Sequence, residues 1–396
     1  MSQSQSKSLS SLALGGIDFT PSALREITIK IDKVGGINLG QGVCQMPVPE
    51  LVLKAARDAI AKGFNRYSPA HGIEPLREVL ATRLSNVNSI PCTTENIIIT
   101  TGSSGAYETL CSTFLGPDDE IVLFSPFYPY HRNVALRKGA KVKTVHLSPP
   151  DWSIDFEELE KALSGKPKFL MICTPSNPTG KVFSKKELTQ IGELCNKYDV
   201  FCVTDEVYEY MTYDGHRHVS MASLPRMFNR TVTMGSYSKT FSITGWRVGY
   251  MCVPEDAIAK MNCINDQIYV CSPTPFQHAV AAGIEQLEAE FYTKLKESYL
   301  VKRNLMQEAL TNAGLEPIIP QGAYYMLADT SGKFPGIASE QVVELLIEKT
   351  AVAAIPASEF IGPEAKNNGQ KSRFLRFSYS LPDETLIQAA TQLCKL

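Results

Sequence analysis

Apolar and polar positions along the chain change rhythm three times. Leu24, Ile27 and Ile31 recur at helical spacing, and the glycine-dense run Gly35-Gly36-Ile37-Asn38-Leu39-Gly40-Gln41-Gly42 follows them. Glycine at that density marks backbone that side chains would forbid, or a close approach to a ligand. Pro47 and Pro49 lead into a predicted helix over 50–62. The polar loop Asn65-Arg66-Tyr67-Ser68-Pro69 precedes a second helix, opened by Pro75 and running toward Leu84. After Pro91 short apolar, β-branched runs alternate with helical ones. The runs cover 97–100, 120–124, 141–147, 168–173, 200–204, 231–236 and 249–253. Leu159 and Leu163 after Asp155, and Leu188, Ile191, Leu194 and Cys195 after Ser184, keep helical spacing between them. Such alternation predicts crossover connections and an α/β protein whose mostly parallel, seven-stranded sheet carries helices on both faces.

Beyond Pro275 the pattern stays helical as far as Asn312, interrupted only by Gly283, and Gly314 stops it. A different rhythm follows: Ile318-Ile319, a turn at Pro320-Gln321-Gly322, an apolar run over 323–328, a helix over 340–349, strands over 352–355 and 374–379, and a closing helix over 383–393. This reads as an α+β unit. A single core stops growing at about 250–300 residues, so the 396 residues predict two domains. The expected division is a large domain over 47–299 and a small one over 300–396 that also takes in the N-terminal arm, 1–46.

Composition narrows the function classes. A net charge of −2 gives no general attraction to nucleic acid or an anionic membrane, which leaves small molecules or a second copy of the chain as expected partners. The 10 cysteines are scattered without a CxxC pair, which excludes zinc-ribbon and thioredoxin-like sites and predicts free thiols in a reducing cytosol. The Ser- and Gln-rich stretch Met1 to Ser10 lacks a secretory apolar region and reads as a disordered tail. No run approaches the ~18 apolar residues of a membrane span, so a cytoplasmic protein is expected. The 6 histidines show no metal-ligand spacing, and His216 with His218 reads as decorating a turn after Tyr213-Asp214-Gly215.

Candidate chemistry lies where the predicted strands end, since the carboxyl ends of such a sheet share one crevice. After 97–100 come Thr101-Gly102-Ser103-Ser104-Gly105-Ala106, small hydroxylic residues opening a helix and suited to a phosphate. After 120–124, Pro126-Phe127-Tyr128 offers an aromatic face. After 168–173, Asn177 sits in a turn, and after 200–204 come Asp205, Glu206 and Tyr208. After 231–236 Lys239 stands among small residues, where a desolvated amine can attack a carbonyl. Each has an ordinary alternative: a capped helix, a turn, a surface lysine. Together they compose the site of a phosphorylated aromatic aldehyde with a protonated ring nitrogen, which is pyridoxal phosphate.

Asn177-Pro178-Thr179-Gly180, Asp205-Glu206-Val207-Tyr208, and Ser236-Tyr237-Ser238-Lys239 followed by Gly245-Trp246-Arg247-Val248-Gly249 resemble the pyridoxal-phosphate-dependent class I/II aminotransferases of fold type I. The resemblance runs from about Gly35 to the C-terminus. It is nearest the branch holding kynurenine (glutamine K), methionine and aspartate-labelled aminotransferases. It implies Lys239 as the Schiff-base lysine and proton shuttle, Asp205 at the ring nitrogen, and Tyr208 and Asn177 at the ring's phenolic oxygen. Ser103, Ser104, Ser236 and Arg247 would hold the phosphate, with Tyr67 reaching it from the neighbouring subunit of a homodimer. Tyr128, or Phe127, would stack on the ring. Arg376 would clamp the substrate α-carboxylate, helped by the Gly42 N–H and Asn177; without the family, Arg376 and Arg247 read as surface charges. Glu206 reads as structural, and no metal is implied.

The implied reaction is ping-pong transamination from an L-amino acid to a 2-oxo acid such as 2-oxoglutarate. Some relatives place a lysine at the position of Ser104 for a distal carboxylate. Its absence, with Phe19, Tyr107, Tyr128 and Tyr269 as candidate pocket residues, points to neutral or aromatic donors (aromatic, Met, Gln, kynurenine), with aspartate kept open. A cysteine-conjugate β-lyase and a non-enzymatic sensor on the same fold are the alternatives.

Overall fold

The computed structural model describes residues 23–362 and 372–396; the predicted tail Met1 to Ser10 and the pocket candidate Phe19 lie outside them. The chain opens with helix α1 (Ala23–Lys33) and the two-residue strand β1 (Ile37–Asn38), then α2 (Glu50–Ala61) and α3 (Glu74–Val87). The alternating stretch then yields β2 (Ile97–Thr100), α4 (Gly102–Phe114), β3 (Glu120–Ser125), α5 (Pro129–Arg137), β4 (Lys141–Ser148), β5 (Ser153–Ile154), α6 (Phe156–Ser164), β6 (Phe169–Cys173), α7 (Lys185–Tyr198), β7 (Phe201–Asp205), β8 (Thr231–Gly235) and β9 (Gly249–Cys252).

These strands form one sheet in the order β2-β9-β8-β7-β6-β3-β4-β5. From β8 through β4 neighbours pair in parallel, while β9 runs antiparallel to both β2 and β8. All seven predicted strands are present. The eighth, β5, is a two-residue antiparallel edge beside β4, too short to leave a pattern. Strand β8 is buried along its whole length, as expected where helices cover both faces. Local signals set the helix starts. Asp155 caps α6 by accepting from the Glu157 and Glu158 amides at 2.9 and 3.1 Å, and Ser184 with Glu187 forms a reciprocal capping box on α7. Leu188, Ile191 and Cys195 line the buried face of α7.

After β9 come α8 (Glu255–Tyr269), α9 (Thr274–Gln286) and α10 (Ala289–Asn312). The long helical stretch is therefore two helices, divided where Glu288, just before α10, turns to an extended conformation. Strands β10 (Glu316–Ile318) and β11 (Tyr325–Asp329) follow, then α11 (Ser339–Thr350), β12 (Val352–Ala353), β13 (Ile355–Pro356), β14 (Phe374–Ser378) and α12 (Asp383–Leu393). Strands β10-β11-β14-β13 make an antiparallel sheet. The predicted strand over 352–355 is divided: Val352–Ala353 pairs instead with β1, in parallel, which seats the N-terminal segment against β12 and β13. One apolar cluster runs from Leu170 and Ile172 of the large sheet to Leu327 and Phe377 of the small one, so the site between the sheets has a packed floor. No helix among the described residues is long and apolar enough to cross a membrane.

Candidate active site

The carboxyl ends of β2, β3, β6, β7 and β8 open on one cleft of about 1660 Å³. Gly42, Ser103, Ser104, Tyr128, Asn177, Asp205, Tyr208, Ser236, Lys239, Arg247 and Arg376 all line it. At one end α4 begins without a side-chain cap, so its first amides are left for a ligand. Gly102 has φ +72°, and a Cβ there would fall 2.4 Å from Arg247 Nη2; only glycine lets the arginine lie against this turn. Arg247 donates to the Thr244 and Thr101 carbonyls at 2.8 and 3.2 Å and has no carboxylate partner among the described residues. Ser236 Oγ donates to the Val248 carbonyl and lies 2.7 Å from Ser238 Oγ. Amides, hydroxyls and an unpaired guanidinium converge as a phosphate requires.

In the middle of the cleft Asp205 ends β7, 6% exposed. Its Oδ2 lies 3.3 Å from His131 Nε2. The sequence reading missed His131; it sits one turn along α5 from Tyr128, and that i,i+3 spacing could have found it. Lys239 is half-buried, its Nζ donating to the Gly42 carbonyl at 3.3 Å and standing 5.9 Å from the centre of the Tyr324 ring. The Tyr208 hydroxyl is 3.2 Å from that of Tyr325. Burial, then the neighbouring Tyr325, hold the Tyr208 phenol well above its ordinary pKa, so it stays a proton donor. Burial does the same to Tyr128, whose ring stacks on Tyr130 at 5.1 Å. Phe127 also reaches the cleft but is 5% exposed and packs in the core.

At the other end Arg376, on β14, is 2% exposed. Nη1 donates to Asn177 Oδ1 at 2.8 Å and Nη2 to the Gly40 carbonyl at 2.7 Å, while Nε has no partner among the described residues. Its Cζ lies 4.3 Å from the centre of the Tyr325 ring and 4.6 Å from that of Phe360. Burial pulls its pKa below the ordinary arginine value, against the opposing pull of the surrounding tyrosines. Because Asn177 Oδ1 is taken by Arg376, its NH₂ group is left to donate into the cleft.

Tyr67, expected to serve the neighbouring subunit and not its own, is 85% exposed and stands apart from the cleft of its own chain, which is no departure from that expectation. Three other residues do depart. Tyr107 is a core residue, 2% exposed, with its hydroxyl on the His131 carbonyl, because α4 turns it toward the sheet. Tyr269 packs over Gly105, outside the cleft lining. His218 does not decorate a turn: its side chain, 8% exposed, turns inward, with Nε2 2.9 Å from Glu206 Oε2. Glu206 is indeed structural, accepting also from Thr204 and Ser220.

The profile of the family Aminotransferase class I and II matches residues 34–393. The chain belongs to this family. It is 33% identical over 418 residues to kynurenine–oxoglutarate transaminase 1 of Homo sapiens, covering 97% of each chain. Aromatic-amino-acid aminotransferase 2 of Thermococcus litoralis is 34% identical over 383 residues, with 95% of each covered. The solved structure of N-succinyldiaminopimelate aminotransferase from Mycobacterium tuberculosis superposes with a TM-score of 0.90 at 31% identity, covering 94% of this chain and 97% of that one. The protein is thus an aminotransferase of fold type I, and its family uses pyridoxal phosphate. The cleft fits that cofactor on its own chemistry: an uncapped helix start beside Arg247, an acid, a phenol and an amide along its middle, and a lysine amine between them.

Proposed function

We propose that this aminotransferase takes the amino group of a neutral or aromatic L-amino acid and passes it, in a ping-pong cycle, to 2-oxoglutarate or a similar oxo acid. The observation that carries the reading is Arg376: a buried guanidinium that, among the described residues, has an unpartnered Nε and no carboxylate of its own, in one cleft with Lys239. Amino acids and 2-oxo acids share the carboxylate that would complete it as a bidentate pair. Bound pyridoxal phosphate supplies an aldehyde for amine exchange and a protonated ring that draws electrons from the substrate.

The chain's residues do the rest. Ser103, Ser104, Ser236 and Arg247 hold the phosphate, Asp205 keeps the proton on the ring nitrogen, Tyr208 and Asn177 donate to the ring oxygen, and Tyr128 covers the ring face. Lys239 Nζ anchors the cofactor and, when displaced, takes the proton from substrate Cα. The Gly42 amide helps Arg376 hold the carboxylate. Tyr67, exposed on its own subunit, completes the phosphate site of a partner in a homodimer. Residues 47–299 and the pair 1–46 with 300–396 act as the two domains, and the 10 free cysteines suit a reducing cytoplasm. Tyr128, Tyr130 and Phe360 give the cleft aromatic walls, which favours apolar donors.

The test is a panel of amino donors assayed against one acceptor. Phenylalanine, methionine, glutamine and kynurenine are expected to exceed aspartate in kcat/KM by about tenfold, the worth of apolar side-chain burial in a pocket. Strict preference for aspartate would refute the donor assignment.

A further inference from the structure

We propose that Tyr325 is a positioning residue: it donates its hydroxyl proton to Tyr208 and so ties the ring-oxygen donor on the large sheet to the carboxylate clamp on the small one. This rests on the reading of Tyr208 as a donor to the cofactor's ring oxygen. Tyr325 opens β11, 3% exposed, beside the strand that carries Arg376. Its ring lies under the Arg376 guanidinium at 4.3 Å. Its hydroxyl reaches across to Tyr208 Oη at 3.2 Å, and the two rings meet edge to face with centroids 5.9 Å apart. Gly42 keeps the space for that hydroxyl, since a Cβ there would fall 1.9 Å from Tyr325 Oη. The Gly42 carbonyl in turn takes Lys239 Nζ at 3.3 Å and Tyr324 Oη at 2.9 Å.

A count of protons gives the direction of the bond. Each phenol has one proton to donate. When Tyr208 directs its own at the ring oxygen, the proton between the two tyrosines must come from Tyr325. A phenol that accepts a hydrogen bond donates more strongly, because chained hydrogen bonds polarise one another in a dry site. Tyr325 therefore favours the ionised ring oxygen through Tyr208 while its ring face supports Arg376. The other groups around the Tyr208 phenol are Tyr324, edge-on at 5.1 Å, the Cys173 thiol, which burial keeps protonated, and the charged Asp205 and Arg376. Among the described residues none of these is hydrogen-bonded to its hydroxyl; Tyr325 alone is.

The test is a spectrophotometric pH titration of the visible absorption of the holoenzyme. Tyr325→Phe keeps the ring under Arg376 and removes only the hydroxyl. The apparent pKa of the bound cofactor is expected to rise by about 0.4–1 unit, the worth of one hydrogen bond, with KM for the amino donor held within about twofold. In a Tyr208→Phe background the same substitution is expected to shift nothing further. An unchanged pKa in Tyr325→Phe, or an equal shift in the Tyr208→Phe background, overturns the proposal. Wild-type protein that binds pyridoxal phosphate without a pH-dependent visible band brings down the underlying reading and this one with it, so the two failures are told apart.

Discussion

Arg376 and Arg303 are both buried, 2% and 5% exposed, and they differ in their company. Arg303, on α10, forks onto Asp214, with Nη2 3.2 Å from Oδ1 and Nη1 on Oδ2. Its Nε and Nη2 also donate to Asn304 at 3.1 and 2.9 Å, so every nitrogen is used. Among the described residues Arg376 has an amide, a carbonyl, two ring faces and an idle Nε. A desolvated cation is costly without an anion. A fold that leaves one unpaired has reserved the place for a ligand, whereas one that pairs it has made a structural joint. Two adjacent acids repeat the contrast: Glu206 is saturated by Thr204, Ser220 and His218, while Asp205 faces the cleft with His131 behind it.

The strongest way to break this contrast is Arg376→Gln. Loss of a buried, bidentate carboxylate partner is expected to lower kcat/KM for amino and oxo acids alike by about 10²–10³-fold. The melting temperature is expected to hold or rise, because an unpaired buried charge is removed. Steady-state kinetics and calorimetry on one preparation check both halves. Intact kinetics with a lowered melting temperature would make Arg376 a structural residue.

Arg303→Gln is the mirror experiment. Its kinetic constants are expected to stay within about twofold, while denaturant unfolding shows a loss of about 1–3 kcal/mol for hydrogen bonds to a charged partner. The loss stays moderate because the Asp214 side chain is 52% exposed, so the stranded carboxylate is hydrated. A substrate-specific rise in KM would show that the joint reaches the cleft.

Most of the cleft was legible in the sequence because the parallel sheet forces it: whatever follows β2, β3, β6, β7 and β8 must meet at their carboxyl ends. Lys239, Asp205 and Asn177 were found that way, and the closing helix emerged as Asp383–Leu393, its predicted bounds. What escaped depends on pairing between distant segments. Residues 352–355 are one apolar run, yet β1 claims its first half and β14 its end. Tyr325 belongs to the second sheet and meets Tyr208 only through the fold. Tyr107 lies on the same helix as Ser103 and Ser104, and nothing local told which face of α4 the cleft would see. His218 lacks any periodic context; only the burial of Glu206 gives it a role.

That histidine provides the smallest effect, separated from the others by its pH dependence. Burial alone would lower the His218 pKa, but the charge and hydrogen bond of Glu206, with the charge of Glu209 behind them, outweigh it and raise the pKa above the ordinary 6.5. A folded pKa above the unfolded one means that the protonated imidazole stabilises the fold fully below about pH 6.5, and that this share fades as pH climbs through the folded value. His218→Gln keeps a hydrogen-bonding side chain and cannot carry the charge. Denaturant unfolding of both proteins over a pH series is therefore expected to show a gap of about 1 kcal/mol near pH 6 that narrows toward alkaline pH. Activity is expected to change little, since His218 is outside the cleft lining. A gap that stays flat or widens as pH rises would show that the imidazolium does not hold Glu206, and the contrast between Asp205 and its saturated neighbour would need another physical basis.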